Sequence, residues 1–120
     1  MYFEIDNYIA LKEALNSLCT ELTAEQIPNE TVYDSKLVAS ELISNALRHG
    51  GGKAFFSAQV EAEYISLSVK SLDSFRPPDK SILSGRESEH GRGLYIVDTL
   101  VETRRYSEEG GTSVIIRIRR

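Results

Sequence analysis

The amino-acid sequence predicts an α+β fold: a two-layer α/β sandwich in which helices pack on one face of a mixed, mainly antiparallel sheet. Segments whose apolar residues recur every three or four positions alternate with segments of period two, which are the periods of helices and strands. Their order is strand, helix, helix, strands, helix, strands. A chain of 120 residues is expected to form a single domain, spanning 1–120.

The first half of the chain is expected to form one strand and two helices. Three kinds of residue set the boundaries: a polar side chain that can cap a helix, a proline that cannot continue one, and glycines that tolerate left-handed backbone. These residues are Asn7, Pro28 and Gly50-Gly51. The predicted elements are a strand at Tyr2–Ile5, a helix whose apolar residues run from Ile9 to Ile27, and a helix from Asn29 or Thr31 to Gly50.

The second half is expected to form two hairpins with a loop and a short helix between them. The loop, at about 73–91, contains two of the three prolines and is long for a compact domain, which is typical of a functional lid. The other predicted elements are strands at Ala54–Gln59 and Tyr64–Lys70, a helix at Arg92–Val101, and terminal strands at Glu102–Tyr106 and Thr112–Ile118.

Composition and charge exclude several function classes. The formal net charge of -4 disfavours nucleic acid as a direct partner, because phosphate binding requires clustered Lys and Arg. A single cysteine excludes an intrachain disulfide, and no segment reaches the ~18 apolar residues of a membrane span. With no signal-peptide pattern at its start, the chain is expected to be cytoplasmic.

Basic residues that alternate with apolar ones are expected to be the solvated face of a strand: Arg104, Arg105, Arg117, Arg119 and Arg120.

A carboxylate and a carboxamide stand one helical turn apart in the segment ELISNALRHG, residues 41–50. Glu41 and Asn45 are four residues apart and therefore share one face of the second helix. An amide oxygen is the kind of hard ligand that Mg²⁺ prefers, and a carboxylate can accept the proton of an attacking hydroxyl. The same spacing also fits a solvated polar face, so it does not by itself establish a site.

Two glycine-containing segments stand next to predicted elements, and the first of them suggests phosphate binding. The segment EHGRGLYIVDTL places Gly91 and Gly93 around the predicted start of an apolar helix, where backbone amides and the positive end of the helix favour an anion. Gly110-Gly111-Thr112 precedes the last strand. Each segment alone also fits an ordinary turn.

In this order and spacing, the three segments resemble the ATP-binding fold shared by gyrase, histidine kinases and the mismatch-repair ATPases, the histidine-kinase-like or Bergerat fold. Over nearly its whole length the chain most resembles the anti-sigma-factor serine/threonine kinases of bacteria. The resemblance implies an enzyme that uses ATP and Mg²⁺ to phosphorylate a serine of an anti-sigma antagonist protein, and that also sequesters a sigma factor. Members of the family often form homodimers, for which the terminal hairpin or first strand offers an edge.

The functional positions of that family can be transferred residue by residue. The resemblance implies that Glu41 is the general base and that Asn45 binds Mg²⁺. It also implies that the glycine-bordered segment lies near the phosphates and that the last threonine lies near the adenine. The nucleotide-binding residues implied in this way are Asn45, Arg48, His49, Asp73, Gly91, Arg92, Gly93, Leu94 and Thr112.

One position departs from the family pattern. The family usually has an Asp at the end of the central strand, which accepts a hydrogen bond from the adenine amino group. Asp73 is the only acidic candidate in this segment, whereas counting back from Pro77 places Ser71 at that position. A hydroxyl or a water at Ser71 would replace a charged acceptor, a loss that typically amounts to about 1.5–3 kcal/mol.

Two other functions remain open on the sequence. A binding module would sequester a partner, with or without nucleotide, and transfer no phosphate; intact Glu41 and Asn45 oppose it. A detached histidine-kinase catalytic domain would need a phospho-accepting histidine, but His49 and His90 both lie inside the nucleotide motifs. A gyrase-like ATPase would need a second domain that supplies a catalytic lysine.

Overall fold

The computed structural model describes residues 1–78 and 88–119, and for residues 88–92 it describes the backbone alone. In these ranges the elements follow the predicted order. The strands are β1 (Tyr2–Ile5), β2 (Ala54–Val60), β3 (Tyr64–Ser71), β4 (Thr103–Ser107) and β5 (Gly111–Arg117). The helices are α1 (Tyr8–Ala24), α2 (Asn29–His49) and α3 (Ser88–Leu100).

The strands form one sheet in the order β1-β2-β3-β5-β4. Every pairing between the described strands is antiparallel, so this part of the sheet has no parallel component of the kind a mixed sheet would contain. In the centre of the sheet, Val69 of β3 pairs with Phe56 of β2 and with Thr112 of β5. The predicted α+β class is confirmed.

The core lies between the sheet and the helices. Alternate residues of the inner strands are buried, among them Phe56, Leu67 and Val114, and they pack in one cluster with residues such as Leu18 of α1 and Ile43 of α2. Burying a side chain of this size contributes roughly 1.5–3 kcal/mol. The residues between them on the strands are half-buried or exposed, which is the pattern of a sheet covered on one face.

Local signals in the first half of the chain act largely as predicted. The Asn7 side-chain oxygen accepts a hydrogen bond from the Ala10 amide at 2.7 Å and so caps α1. At the end of α2, the Gly50 amide donates to the Ala46 carbonyl, and Gly51 has a positive φ of 88°. Ile9, however, is 72% exposed, so it does not belong to the buried apolar face of α1 that the sequence predicts.

The predicted boundary of the third helix is wrong. Helix α3 begins at Ser88 rather than Arg92, so Gly91 and Gly93 lie within its first two turns instead of around its start. A glycine in a helix costs about 1 kcal/mol relative to alanine. Burial of Leu94 and Val97 on the same helix offsets that cost. The predicted lid at 73–91 is shortened accordingly: residues 88–91 are helical, and residues 79–87 lie outside the described residues.

At the turn of the terminal hairpin, the backbone packs closely against strand β3. Gly111 has a φ of 75°, and a Cβ added there would overlap the Val69 carbonyl oxygen, so only glycine fits beside β3.

The side chain of Arg104 is only 8% exposed and pairs with Asp98, which corrects the prediction that this arginine is solvated. Arg105, Arg117 and Arg119 are exposed as predicted, and Arg120 lies outside the described residues.

None of the helices in the described ranges has the length and apolar character needed to cross a lipid bilayer.

Candidate functional site

A cavity of about 260 Å³ opens between helix α2, the end of β3 and the β4–β5 turn. Leu42 and Ala46 of α2 and Val69 of β3 supply apolar walls, and Thr112 of β5 supplies a hydroxyl. The volume is close to the lower end of the range for small-molecule sites, about 300–1,000 Å³. The exposed lining is more polar than apolar, with Lys70, Ser71 and Glu108 beside the apolar side chains, so a flat ring that also carries hydrogen-bonding groups would fit it.

Thr112 is the residue that the transferred family pattern assigns to the neighbourhood of adenine. It is buried, it lines the cavity, and its backbone pairs with Val69 on one side and with Tyr106 on the other. The tight approach of Gly111 to β3 fixes this register. The hairpin turn therefore holds Thr112 against the cavity through backbone geometry.

Of the two candidates for the adenine acceptor, Ser71 lines the cavity and Asp73 does not. The Ser71 hydroxyl donates to the Asp73 backbone carbonyl at 2.5 Å. The exposed Asp73 carboxylate lies beside Gly51, where a Cβ added to that glycine would be 2.5 Å from Oδ2. The prediction that Asp73 contacts nucleotide thus gains no support from its position.

Glu41 lies directly against helix α3. A Cβ added at Gly93 would overlap the Glu41 carboxylate. The carboxylate can therefore approach the backbone of α3 at this position because glycine has no side chain. Leu94, the next residue, is buried, and it does not line the cavity. The structure brings Glu41 of α2 and Gly93 of α3 together, although they are distant in sequence.

The last two turns of α2 carry polar groups beside Glu41. Asn45 is 8% exposed, and its side-chain oxygen accepts a hydrogen bond from Nη2 of Arg48 at 2.8 Å. A carboxamide oxygen has two lone pairs, so one remains for a metal ion. His49 stacks on Phe75 with the ring centres 5.1 Å apart, which ties the end of α2 to the segment after β3.

The donor set fits Mg²⁺ bound through phosphates rather than a cage of protein ligands. In the described part of the chain, no three His, Cys, Asp or Glu side chains come together as metal ligands. Mg²⁺ commonly binds through one or two protein oxygens, substrate phosphates and waters. Asn45, with one free lone pair next to the cavity-lining helix face, is the residue that would hold it.

The phosphate-binding prediction for Gly91, Arg92 and Gly93 changes with the helix boundary. An interior helical amide donates to the carbonyl four residues earlier, so the Gly93 amide is not free for a phosphate. Gly93 instead contributes close approach to Glu41. Gly91 and Arg92 lie in the first two turns of α3, where the positive end of the helix favours an anion, and their phosphate contacts stay a prediction.

The family model described as the histidine kinase-like ATPase domain matches residues 6–118. The chain belongs to the histidine kinase-like ATPase family. No curated protein matches it. Membership of this family supports ATP binding by the chain.

Sequence reasoning missed several residues that line the cavity of this histidine kinase-like ATPase domain. Phe75 lines the cavity and stacks on His49, and Tyr106 lines it from β4 while the Arg76 guanidinium lies 5.5 Å from its ring centre. No local pattern marks Phe75, because its segment has no regular structure. Tyr106 alternates with Arg104 on β4, a spacing that places both side chains on one face of the strand. Lys70, Leu72, Ser74 and Glu108 also line the cavity.

Replacing Gly93 with alanine in this ATPase domain should impair catalysis without unfolding the protein. The added methyl group overlaps the Glu41 carboxylate and displaces it, and a displacement of about 1 Å can cost roughly a hundredfold in rate. Alanine is also the better helix former. We expect the rate of ATP turnover to fall about a hundredfold and the melting temperature to change little.

Gly110→Ala is the matched control, because a Cβ at Gly110 meets only the Ser107 hydroxyl, at 3.1 Å. Equal turnover rates for the two variants would show that Glu41 is not held against α3 during the reaction.

Proposed function

We propose that this domain is an ATP-dependent protein serine/threonine kinase that acts as an anti-sigma factor in the cytoplasm. It transfers the γ-phosphoryl group of ATP to a serine of an anti-sigma antagonist protein, and it sequesters a sigma factor. The observation that carries the proposal is the contact between the Glu41 carboxylate and Gly93, one helical turn from Asn45 and next to the cavity.

The residues around the cavity orient the nucleotide. The adenine ring lies between the apolar side chains of Leu42 and Ala46 and the wall formed by Val69, with the Thr112 hydroxyl at its edge. The triphosphate then extends along α2 towards Asn45, Arg48 and His49. Basic residues in the last turn of a helix already interact favourably with its negative end, and here they also face the phosphate charge.

Glu41 serves as the general base in the transfer. The half-buried carboxylate accepts the proton of the serine hydroxyl as the serine oxygen bonds to the γ-phosphorus. The bond from that phosphorus to the bridging oxygen breaks, and ADP leaves. Asn45 would hold Mg²⁺, whose positive charge would neutralise the phosphates. Phosphoryl transfer depends mostly on positioning and charge neutralisation, so this small set of groups is sufficient.

A nucleotide-dependent binding module is the second candidate function, and one observation favours it. Ser71, rather than Asp73, lines the cavity at the end of β3, which weakens the expected ATP affinity. In that case the domain would sequester its partner without transferring phosphate.

Incubation of the full chain with Mg-ATP and purified candidate antagonists tests the kinase, with phosphoserine detected by peptide mass spectrometry. We expect one serine of one antagonist to be phosphorylated, and only in the presence of Mg²⁺. Calorimetry of ATP binding with and without Mg²⁺ accompanies the assay. Binding without transfer to any antagonist would support the binding module, and the absence of ATP binding would overturn both candidate functions.

A further inference from the structure

Arg104 joins three parts of the molecule that surround the candidate site. Its Nε and Nη2 donate to the two carboxylate oxygens of Asp98 on α3, at 2.6 and 3.0 Å. Its Nη2 also donates to the backbone carbonyl of Pro78 at 2.8 Å. Bidentate, charge-assisted hydrogen bonds of this kind are stronger and more directional than neutral ones. Strand β4 is thereby fixed both to α3 and to the segment that follows β3.

Strand β4 holds that segment at a second point. Tyr106, two residues after Arg104, presents its ring to the Arg76 guanidinium at 5.5 Å. Arg104 and Tyr106 pair with Val114 and Thr112 of β5, so both side chains lie on the helix-facing side of the sheet. Residues 74–78 are therefore attached to β4 at two places along their length.

The attached segment forms part of the cavity wall. Ser74 and Phe75 line the cavity, and Phe75 stacks on His49 at the end of α2. On the other side of Arg104, Asp98 belongs to the same helix as Gly93, which contacts Glu41. Movement of the Arg104 guanidinium would consequently shift the cavity wall and α3 together.

We propose that Arg104 is a positioning residue for nucleotide binding, acting through Pro78 and Asp98. It does not line the cavity. It sets the separation between the cavity wall at Phe75 and the helix that carries Gly93, and so preorganises the site before nucleotide arrives. This inference rests on the proposed ATP site, and it adds a residue that the transferred family pattern does not include.

Arg104→Lys tests the proposal, because lysine keeps the charge but cannot make the bidentate contact. We expect the dissociation constant for ATP, measured by calorimetry, to rise about tenfold, which lies within the usual range of coupling between two separate parts of a protein. In the transfer assay, KM for ATP should rise by a similar factor, and kcat at saturating ATP should fall by less than that factor, because Arg104 does not line the cavity and reaches Glu41 only through Asp98 and α3. Arg105→Lys, on the exposed side of the same strand, should bind ATP like the wild type.

Asp98→Asn provides a second route to the same result. Asp98→Asn removes the charge that orients the Arg104 guanidinium. Both single changes break the same Arg104–Asp98 contact. The double variant should therefore bind ATP no more weakly than the single variant with the lower affinity. Unchanged ATP affinity in Arg104→Lys, or strictly additive losses in the double variant, would overturn the positioning role. Wild-type protein that binds no ATP would instead overturn the proposed function, so the two failures are distinguishable.

Discussion

Replacement of Glu41 by glutamine is expected to lower the rate of serine phosphorylation by about 10²–10⁴-fold, the usual contribution of a general base. Glutamine has nearly the same shape and can occupy the same position against Gly93, but it cannot accept the proton. ATP affinity should change less than about threefold, since the carboxylate does not line the cavity and contributes mainly to the transition state.

Single-turnover phosphorylation of the antagonist and calorimetry with Mg-ATP separate these two effects. Glu30→Gln is the control, because Glu30 is an exposed carboxylate in the first turn of the same helix. If Glu41→Gln transferred phosphate at the wild-type rate, the base would have to be another group. A fall in ATP affinity as large as the fall in rate would identify Glu41 as a ligand-positioning residue instead.

Ser71→Asp is expected to raise the affinity for ATP about ten- to a hundredfold, because a charged acceptor would replace a neutral one at the adenine edge. The Ser71 proton is already donated to the Asp73 carbonyl at 2.5 Å, so in the wild type the hydroxyl presents lone pairs to the cavity. An acceptor there favours a 6-amino purine over a 6-oxo purine. The variant should therefore also increase the preference for ATP over inosine triphosphate.

Asp73→Asn distinguishes Ser71 from the acidic residue predicted to bind nucleotide. If Ser71 occupies the acceptor position, Asp73→Asn leaves ATP affinity within about twofold of the wild type, because the Asp73 carboxylate lies outside the cavity beside Gly51. A large loss of affinity in Asp73→Asn, with no gain in Ser71→Asp, would show that adenine contacts Asp73. Calorimetric titration of ATP and of inosine triphosphate into each variant shows which of the two residues contacts adenine.

Local patterns were sufficient to predict most of the sheet and the first two helices. Their apolar residues follow clear periods, and residues such as Asn7 and Gly50 act on their immediate neighbours. The start of α3 was not predictable in this way. The low helix propensity of Gly91 and Gly93 favoured a later start, whereas the burial of Leu94 and Val97 and the close contact with Glu41 are tertiary effects.

The candidate site could be predicted only where its residues lie on one element. Glu41 and Asn45 share α2, so their proximity follows from the helical repeat. The roles of Phe75 and Tyr106 depend on how the segment after β3 lies against α2 and β4, which local sequence does not determine. Arg104 was assigned to the solvated face because strand alternation gives no information about a partner such as Asp98 on another element.

Helix α2 carries both the apolar wall proposed to hold the adenine base and the polar groups proposed to lie beside the phosphates, within 21 residues of continuous helix. One residue inserted between Leu42 and Asn45 would rotate everything after it by about 100° around the helix axis. Ala46 would then face away from the cavity, and Asn45 would lose its place one turn from Glu41, while Leu42 stayed in place. The β2–β3 turn, at 61–63, has no such angular constraint, so changes in chain length should be tolerated there and excluded from the middle of α2.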